Sequence, residues 1–276
     1  MYKFFYFLFF LFFLGFFKTL QAAQISAQIS QAHHISDALA AMGDFNPLTP
    51  PNPKSPWSGT NIGAGGVFNT GNTQSQNINT AANLIYKSLS SPWQWTSNDT
   101  FNFARTYGKG VTASKLFLQS QWQYNFAQKK YSFLEMDYTD DRFDGYDYIL
   151  NTIVGYGLRV VDLPVFSWDI QGGPGYQRAV KAPVGNMGED NENNMLLNAS
   201  TQMNWVMSSN ASLSESLGVT STRINTRTIS TTALTANLVK RFAMQLSFQA
   251  IYDSLPLSGK KPFNTITTVS LVYTLA

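Results

Sequence analysis

Apolar and polar residues alternate along most of the chain from Trp57 to the C-terminus. In residues 242–253 the apolar set is Phe242, Met244, Leu246, Phe248, Ala250 and Tyr252. Side chains of a strand point alternately to its two faces, so this stretch has one apolar and one mostly polar face. Such stretches run to roughly 10–14 residues, whereas soluble strands have about 5–6 and bilayer-crossing strands need about 9–11. The pattern predicts a membrane-spanning β-barrel.

The alternation divides into twelve stretches, which predict an antiparallel up-and-down barrel. The predicted strands are 57–69, 74–87, 93–106, 111–127, 130–141, 146–161, 165–178, 194–208, 211–223, 227–239, 242–253 and 263–275. An even number places both chain ends on one side, which in bacterial barrels is the periplasmic side. The longest connections, 179–193 and 254–262, follow odd-numbered strands, as outer loops do.

The phase of the alternation predicts which residues face lipid and which face the lumen. The lipid-facing set includes Ile78, Leu84, Leu118, Trp122, Val154, Tyr156, Met203, Trp205, Val269 and Leu271. The lumen-facing set includes Asn77, Asn79, Asn83, Gln119, Gln121, Gln123, Asn125, Asn198, Gln202 and Asn204. A face so rich in amides suits a hydrated lumen better than a dry core. Asp99 and Glu215 fall in the lipid-facing phase, and either a β-bulge or a position near the membrane interface would explain each.

The N-terminal residues have the composition of an export signal. Lys3 precedes an apolar run from Phe4 to Phe17, and Leu20-Gln21-Ala22 ends it with small residues. These features predict a secretory signal peptide over residues 1–22. Residues 23–56 are expected to form a periplasmic extension with a short amphipathic helix within 24–43 and a proline-rich linker over 44–56. A poorly ordered tail is the favoured interpretation of this extension, and a periplasmic helix that docks on a partner or in the lumen is the alternative.

Charge and cysteine content narrow the function classes. The formal net charge is +3, and a signal peptide would carry away Lys3 and Lys18 but no acid. This near balance gives no case for binding nucleic acid. Cysteine is absent, so neither a disulfide framework nor a lipid-modified N-terminus is expected. The histidines are His33 and His34, both before the barrel, which removes the commonest general base from the strands. We therefore expect a non-enzyme without cofactor or metal.

Two groups of charged residues are candidates for function. The charges predicted to reach the lumen are Glu135, Asp137, Arg159, Asp169 and Arg178. Their mixed signs argue against strong ion selectivity unless the signs segregate in space. A candidate outer-loop cluster consists of Asp141, Arg142, Asp144 and Asp147, which offers carboxylates to a cation but lacks EF-hand spacing. A plain structural loop is the favoured interpretation of this cluster.

Glycines on the polar face form a further pattern. Gly155 and Gly157 alternate on one predicted strand, and Gly173 and Gly175 alternate on the next. Either they leave room for a narrow passage, or they relieve crowding in a tightly curved sheet. The second interpretation is favoured.

Several short motifs occur in the order of a known family. They are Trp57-Ser58-Gly59, Thr70-Gly71-Asn72-Thr73, Asp140 to Asp147, Gly155-Tyr156-Gly157, Gly173-Pro174-Gly175-Tyr176, Asp253-Ser254-Leu255-Pro256, Lys260-Lys261 and Asn264 to Tyr273. Over about residues 57–276 the chain resembles the domain of unknown function 481 family, often labelled as salt-induced outer-membrane proteins. The resemblance implies an exported outer-membrane protein of Gram-negative bacteria with a link to salt or pH stress. It carries over no catalytic residue.

Three function classes follow from these observations. The polar lumen face favours a channel for small solutes or ions. Its opening should be narrow, because twelve strands lie between the filled eight-stranded barrels and the open sixteen-stranded porins. The alternative is a non-conducting envelope or interaction barrel. An outer-membrane enzyme without a histidine-based site is the least favoured. The expected partners are outer-membrane lipid, periplasmic chaperones and the barrel-assembly machinery.

Overall fold

A computed structural model describes residues 55–69, 75–141, 146–181, 190–239, 241–256 and 261–274. The predicted signal peptide and the predicted helix within 24–43 lie outside the described residues, as does most of the proline-rich linker. In the described ranges no helix has the length and apolar character needed to cross a membrane.

Twelve antiparallel strands form a closed barrel in which each strand pairs with its neighbours in sequence. They are β1 Asn61–Asn69, β2 Ser75–Lys87, β3 Trp93–Thr106, β4 Gly110–Ala127, β5 Lys130–Asp141, β6 Tyr146–Leu163, β7 Phe166–Lys181, β8 Asp190–Ser208, β9 Ala211–Thr222, β10 Thr226–Val239, β11 Phe242–Asp253 and β12 Phe263–Thr274. The barrel closes where Asn61 to Ala64 of β1 pair with Thr274 to Leu271 of β12. The predicted twelve-stranded up-and-down barrel is confirmed.

The strands differ from the predicted ones by more than two residues at two places. β1 begins at Asn61 rather than at residue 57, because residues 57–60 form a turn in which the Thr60 amide donates to the Trp57 carbonyl and Gly59 has a φ of 96°. β7 continues to Lys181 and β8 begins at Asp190, so the strands take up part of the predicted loop 179–193. At the start of β8, the polar run from Asp190 to Asn193 hid the continuation from the alternation pattern.

The predicted facing of the side chains is confirmed clearly in β11. Leu246 has 47% of its surface exposed on the outside of the barrel, whereas its neighbour Gln245 is only 1% exposed. Gln249 on the inner face is fully buried, and Tyr252 on the outer face is exposed. The outer surface is therefore apolar and the inner surface is lined by amides and hydroxyls.

Aromatic side chains gather on the outer surface at the end of the barrel that carries the chain termini. Trp57 packs edge-on against Tyr86, with ring centroids 5.1 Å apart, and Trp93 packs in the same way against Tyr124 at 5.0 Å. On other strands, Trp205 near the end of β8 and the pair of Phe242 and Tyr273 on β11 and β12 lie at the same end of the barrel. Rings at one level around a barrel match the aromatic girdles of membrane barrels.

Asp99 and Glu215 both lie on the outer face, and the bulge considered for them is absent. Each of the two residues continues an unbroken register with both neighbouring strands. The Ser97 hydroxyl donates to Asp99 at 3.0 Å, while Ser230 donates to Glu215 at 3.1 Å and Thr232 donates to its other oxygen. Hydroxyl donors from the sheet itself therefore stabilise these outward carboxyl groups.

Candidate functional site in the barrel lumen

One polar residue from each of eight successive strands lies in register across the inner wall. From β1 to β8 these residues are Asn61, Asn83, Asn98, Gln119, Asp137, Asn151, Gln177 and Asn194. Residues directly opposite each other on paired strands share a face, so the set forms a continuous band that we call the amide belt. Asp137 is its one ionisable member.

Hydrogen bonds within the belt run toward two carboxyl groups from opposite sides. From β7, Gln177 Nε2 donates to Asn151 Oδ1 at 3.0 Å, and Asn151 Nδ2 donates to Asp137 Oδ2 at 3.0 Å. From β3, Asn98 Nδ2 donates to Gln119 Oε1 at 2.8 Å, and the Gln119 side chain hydrogen-bonds Glu135. Because successive hydrogen bonds polarise one another, both chains direct their positive ends at the carboxyl groups.

Glu135 and Asp137, here called the acid pair, stand on the inner face of β5 near its middle. Glu135 is only 6% exposed, and Asp137 Oδ1 is buried without a hydrogen-bond partner. Neither carboxyl group forms an ion pair with another described residue. The acid pair therefore consists of two lumen-facing carboxyl groups that have no basic partner among the described residues.

Arg159 forms a separate network near the chain-terminus end. Its Nε lies 3.8 Å from Asp169 Oδ1, and its NH2 group donates to Asn125 Oδ1 at 2.8 Å. The guanidinium carbon lies 5.7 Å from the ring centre of Tyr131, whose hydroxyl donates to Gln171 at 3.2 Å. The structure places Arg159 and Asp169 on the inner face as predicted and brings them together as an ion pair.

Ion pairs at the opposite end of the barrel involve inward charges that, apart from Asp141, the sequence analysis did not single out. They are Lys115 with Asp141 at 3.6 Å, Lys181 with Glu192 at 2.6 Å, and Arg227 with Asp253 at 3.8 Å. Lys115 lies directly opposite Asp141, and Arg227 lies directly opposite Asp253. Glu192 lies two residues along β8 from Asp190, the residue opposite Lys181. In the sequence, these ion pairs correspond to opposite charges at or near facing positions of adjacent strands. They can be recognised only once the strand register is known.

Two predicted placements need correction. Arg178 does not reach the lumen: its neighbours Gln177 and Ala179 point inward, so Arg178 lies on the outer face opposite Leu150. Asp141 is not a loop residue but the last residue of β5, buried on the inner face beside Lys115. Of the remaining outer-loop candidates, Asp147 is exposed near the start of β6, and Arg142 and Asp144 lie outside the described residues.

The inner-face glycines lie where backbones and rings approach closely. A Cβ on Gly173 would lie 2.1 Å from the Val154 carbonyl oxygen, and one on Gly155 would lie 2.3 Å from the Gly172 oxygen. A Cβ on Gly157 would lie 2.0 Å from the Tyr131 ring. These glycines therefore relieve crowding between β5, β6 and β7, the interpretation that the sequence favoured, rather than widening a passage.

Tyr131 uses the space left by Gly157 to lie along the wall. Gln121 of β4 can then reach Gln171 of β7, with Nε2 3.3 Å from Oε1. This bond passes over two intervening strands and fills part of the lumen on the side of β4 to β7. No group of three or more histidine, cysteine or acidic side chains within the described ranges is arranged to hold a metal ion.

Fold and site together define a closed twelve-stranded barrel with an apolar outer surface and a polar, charge-bearing lumen. Residues 62–275 match the family described as "Protein of unknown function, DUF481", and the chain belongs to this family. It is 25% identical over 230 residues to the uncharacterized protein YdiY of Escherichia coli strain K12, which covers 82% of this chain and 86% of that protein.

Solved structures of membrane barrels resemble the chain at low sequence identity. The NanC porin has a TM-score of 0.47 and 7% identity over 79% of this chain and 99% of its own. An outer-membrane channel from Pseudomonas putida F1 has a TM-score of 0.47 and 11% identity over 81% and 99%. The translocator domain of the autotransporter NalP from Neisseria meningitidis has a TM-score of 0.46 and 10% identity over 78% and 86%.

Proposed function

We propose that this chain is an exported protein of the Gram-negative outer membrane that forms a narrow channel for small ions and solutes. The apolar outer surface and the ring of aromatic side chains support a membrane location. The signal-like residues 1–22 support export. In this proposal outer-membrane lipid surrounds the barrel, and periplasmic chaperones and the barrel-assembly machinery deliver it.

The channel proposal rests on the polarity of the lumen. Buried acceptor atoms that lack a protein donor occur on several strands, among them Asn61 Oδ1, Asn79 Oδ1, Asn98 Oδ1 and Asp137 Oδ1. Each such atom costs about 1–3 kcal/mol if it is left dry. Water that penetrates between these side chains would remove this cost, and a continuous file of water along the lumen would also carry small ions.

The alternative, a non-conducting envelope or interaction barrel, rests on the filled side of the lumen. The hydrogen bond between Gln121 and Gln171 and the contacts of Arg159 hold side chains of one wall inside the lumen. If these side chains reach the opposite wall, they interrupt the file of water. The two proposals therefore make opposite predictions for conductance.

Single-channel recording of the refolded full chain in planar bilayers tests the channel directly. We expect discrete conductance steps smaller than those of a sixteen-stranded porin, because twelve strands enclose a narrower lumen. Heat-modifiable gel mobility confirms folding in the same sample. Silence from folded protein would contradict the channel and support the non-conducting barrel.

The family resemblance further supports a link to salt or pH stress, which we include in the proposal. The expected result is a several-fold rise of the protein in the membrane fraction after a salt or pH shift. Quantitative immunoblotting of outer-membrane fractions measures this rise. An unchanged level under both shifts would remove the stress link without affecting the channel.

A further inference from the structure

We propose that the barrel wall opens between β1 and β12, and that a single-chain amphiphile passes through this opening between the lumen and the surrounding lipid. Such a molecule has a polar head and one hydrocarbon chain. The inference rests on the membrane location in the proposed function and adds a class of solute and a route to it. It does not require the barrel to conduct ions. The contact between β1 and β12, the first and last strands, is here called the seam.

The seam is paired at one end only. Its ladder comprises four residue pairs and ends at Ala64 and Leu271. β1 nevertheless continues to Asn69, paired with β2, and β12 is paired with β11 from Phe263 onward. Toward the end of the barrel that lies away from the chain termini, the described edges of β1 and β12 therefore face each other without a ladder.

The part of the seam without a ladder lies at the depth of the hydrocarbon in the proposed membrane. Tyr273 belongs to the aromatic side chains at the chain-terminus end, and a strand needs about 9–11 residues to cross a bilayer. Counted from Tyr273, this length reaches to about Phe263, so the free edge of β12 lies inside the membrane. Backbone N–H and C=O groups are costly there unless they line a cavity that water can reach. The free edges therefore require polar surroundings.

Hydroxyl groups provide such surroundings along the free edge of β12. Thr265 and Thr267 are exposed on the outer face, where the residues nearer the ladder, Val269 and Leu271, are apolar. A hydroxyl group both donates and accepts hydrogen bonds, so the two threonines can serve freed backbone groups or the polar head of a solute. The facing edge of β1 includes Gly66, which is exposed and brings no side chain into the opening.

An apolar cluster on the inner face lies beside the same free edge. Ile266 of β12 packs with Ile251 of β11, and Ile229 of β10 packs against them. Ile229 is only partly buried, so it presents apolar surface to the lumen. Hydroxyl groups outside and isoleucines inside suit a molecule that has both a polar head and a hydrocarbon chain. The narrow lumen of a twelve-stranded barrel favours one such chain over several.

Introduced cysteine pairs measure the opening, because the chain has no cysteine of its own. Ala64→Cys/Leu271→Cys joins directly opposite residues at the end of the ladder. Phe68→Cys/Thr267→Cys moves the pair four residues along both strands, to positions that a continued ladder would place opposite each other. In the refolded full chain in vesicles, we expect the second pair to form its disulfide at least about tenfold more slowly, because Cα atoms more than about 7 Å apart cannot be bridged without backbone movement. Equal rates would show a closed seam and overturn the proposal.

Photolabelling with a diazirine fatty acid in the same vesicles tests the route. Ile266 and Ser216 lie in one row of paired inner residues, Ile266 beside the seam and Ser216 three strands away. Ser216 is the more exposed of the two, so entry through the mouth of the lumen would label it at least as strongly. Entry through the seam should label Ile266 several-fold more, and oxidation of the Phe68→Cys/Thr267→Cys pair should remove this excess. Labelling without an excess at Ile266 would contradict the route.

Both measurements are independent of conductance, so the channel and the route through the seam can fail separately. Folded protein that is silent in planar bilayers but shows slow oxidation and excess labelling would contradict the channel and support the route. Disulfide-linked dimers of the single variant Thr267→Cys would indicate that a second copy covers the free edge, which would overturn the amphiphile as its occupant. Should the Phe68→Cys/Thr267→Cys variant not fold, Gly66→Cys/Val269→Cys, two residues nearer the ladder, should also oxidise more slowly than the pair at the end of the ladder.

Discussion

Replacing Leu246 by arginine should destabilise the folded barrel by about 2–4 kcal/mol, the cost of a cation on the lipid face near the bilayer midplane. Leu246 lies near the middle of β11 with 47% of its surface exposed, between Leu234 and Val269 on the neighbouring strands. These neighbours offer no polar group to the guanidinium. Denaturant unfolding of the protein in lipid vesicles measures the free-energy change.

The matched control is Ser200→Arg on the inner face. Ser200 lies opposite Gly218, where an added Cβ would meet nothing within 4 Å, so the lumen has room for the longer side chain. We expect this variant to lose less than about 1 kcal/mol, as substitutions away from packed sites do. Equal losses in both variants would contradict the assigned facing and with it the membrane location.

The barrel could be predicted from sequence because its main determinant is local. A period of two over long stretches fixes which side chains share a face, and a closed barrel adds no other layer that would disturb this pattern. For that reason even Asp99 was placed in the correct phase, with its hydroxyl donor Ser97 two residues away on the same face. Strand ends were less certain, since polar residues such as Asn191 and Glu192 in β8 resemble a loop.

Arg178 shows where reasoning from residue type fails. The sequence analysis places it among the lumen charges, although its phase in β7 opposes that of Gly173 and Gly175. Near the far end of a strand, an arginine on the outer face can extend its charged group toward water or lipid headgroups. The position of Arg178 near the end of β7 therefore allows it to lie on the outer face despite its charge.

The candidate site could be predicted only in part. Glu135 and Asp137 were expected in the lumen, but their isolation from basic residues depends on which strands bring Arg159 to Asp169 and Lys115 to Asp141. Such pairing follows from the register, which turns and bulges set across each hairpin and which one sequence does not reveal. The amide belt was missed for the same reason, although three of its eight members, Asn83, Gln119 and Asp137, were expected on the inner face.

Replacing Gly173 by alanine should cost about 3 kcal/mol, at the upper end of the usual cost of overpacking. The added Cβ would lie 2.1 Å from the Val154 carbonyl oxygen and 2.6 Å from Gly155 Cα, both backbone atoms of the paired strand β6. A side chain could rotate away, but here relief requires β6 and β7 to separate. The change in unfolding free energy in lipid vesicles is the measurement, with heat-modifiable mobility as a check on folding.

Gly218→Ala tests whether crowding, rather than the loss of glycine itself, causes the effect. Gly218 also faces the lumen from a strand interior, but nothing lies within 4 Å of its added Cβ. A stability near that of the wild type is expected for it. A tolerated Gly173→Ala would mean that β6 and β7 lie further apart than described, and the inward bracing of this wall by Tyr131 and Gln171 would lose its geometric basis. The proposal of a non-conducting barrel rests on these inward side chains. A tolerated Gly173→Ala would therefore weaken that proposal and favour an open lumen.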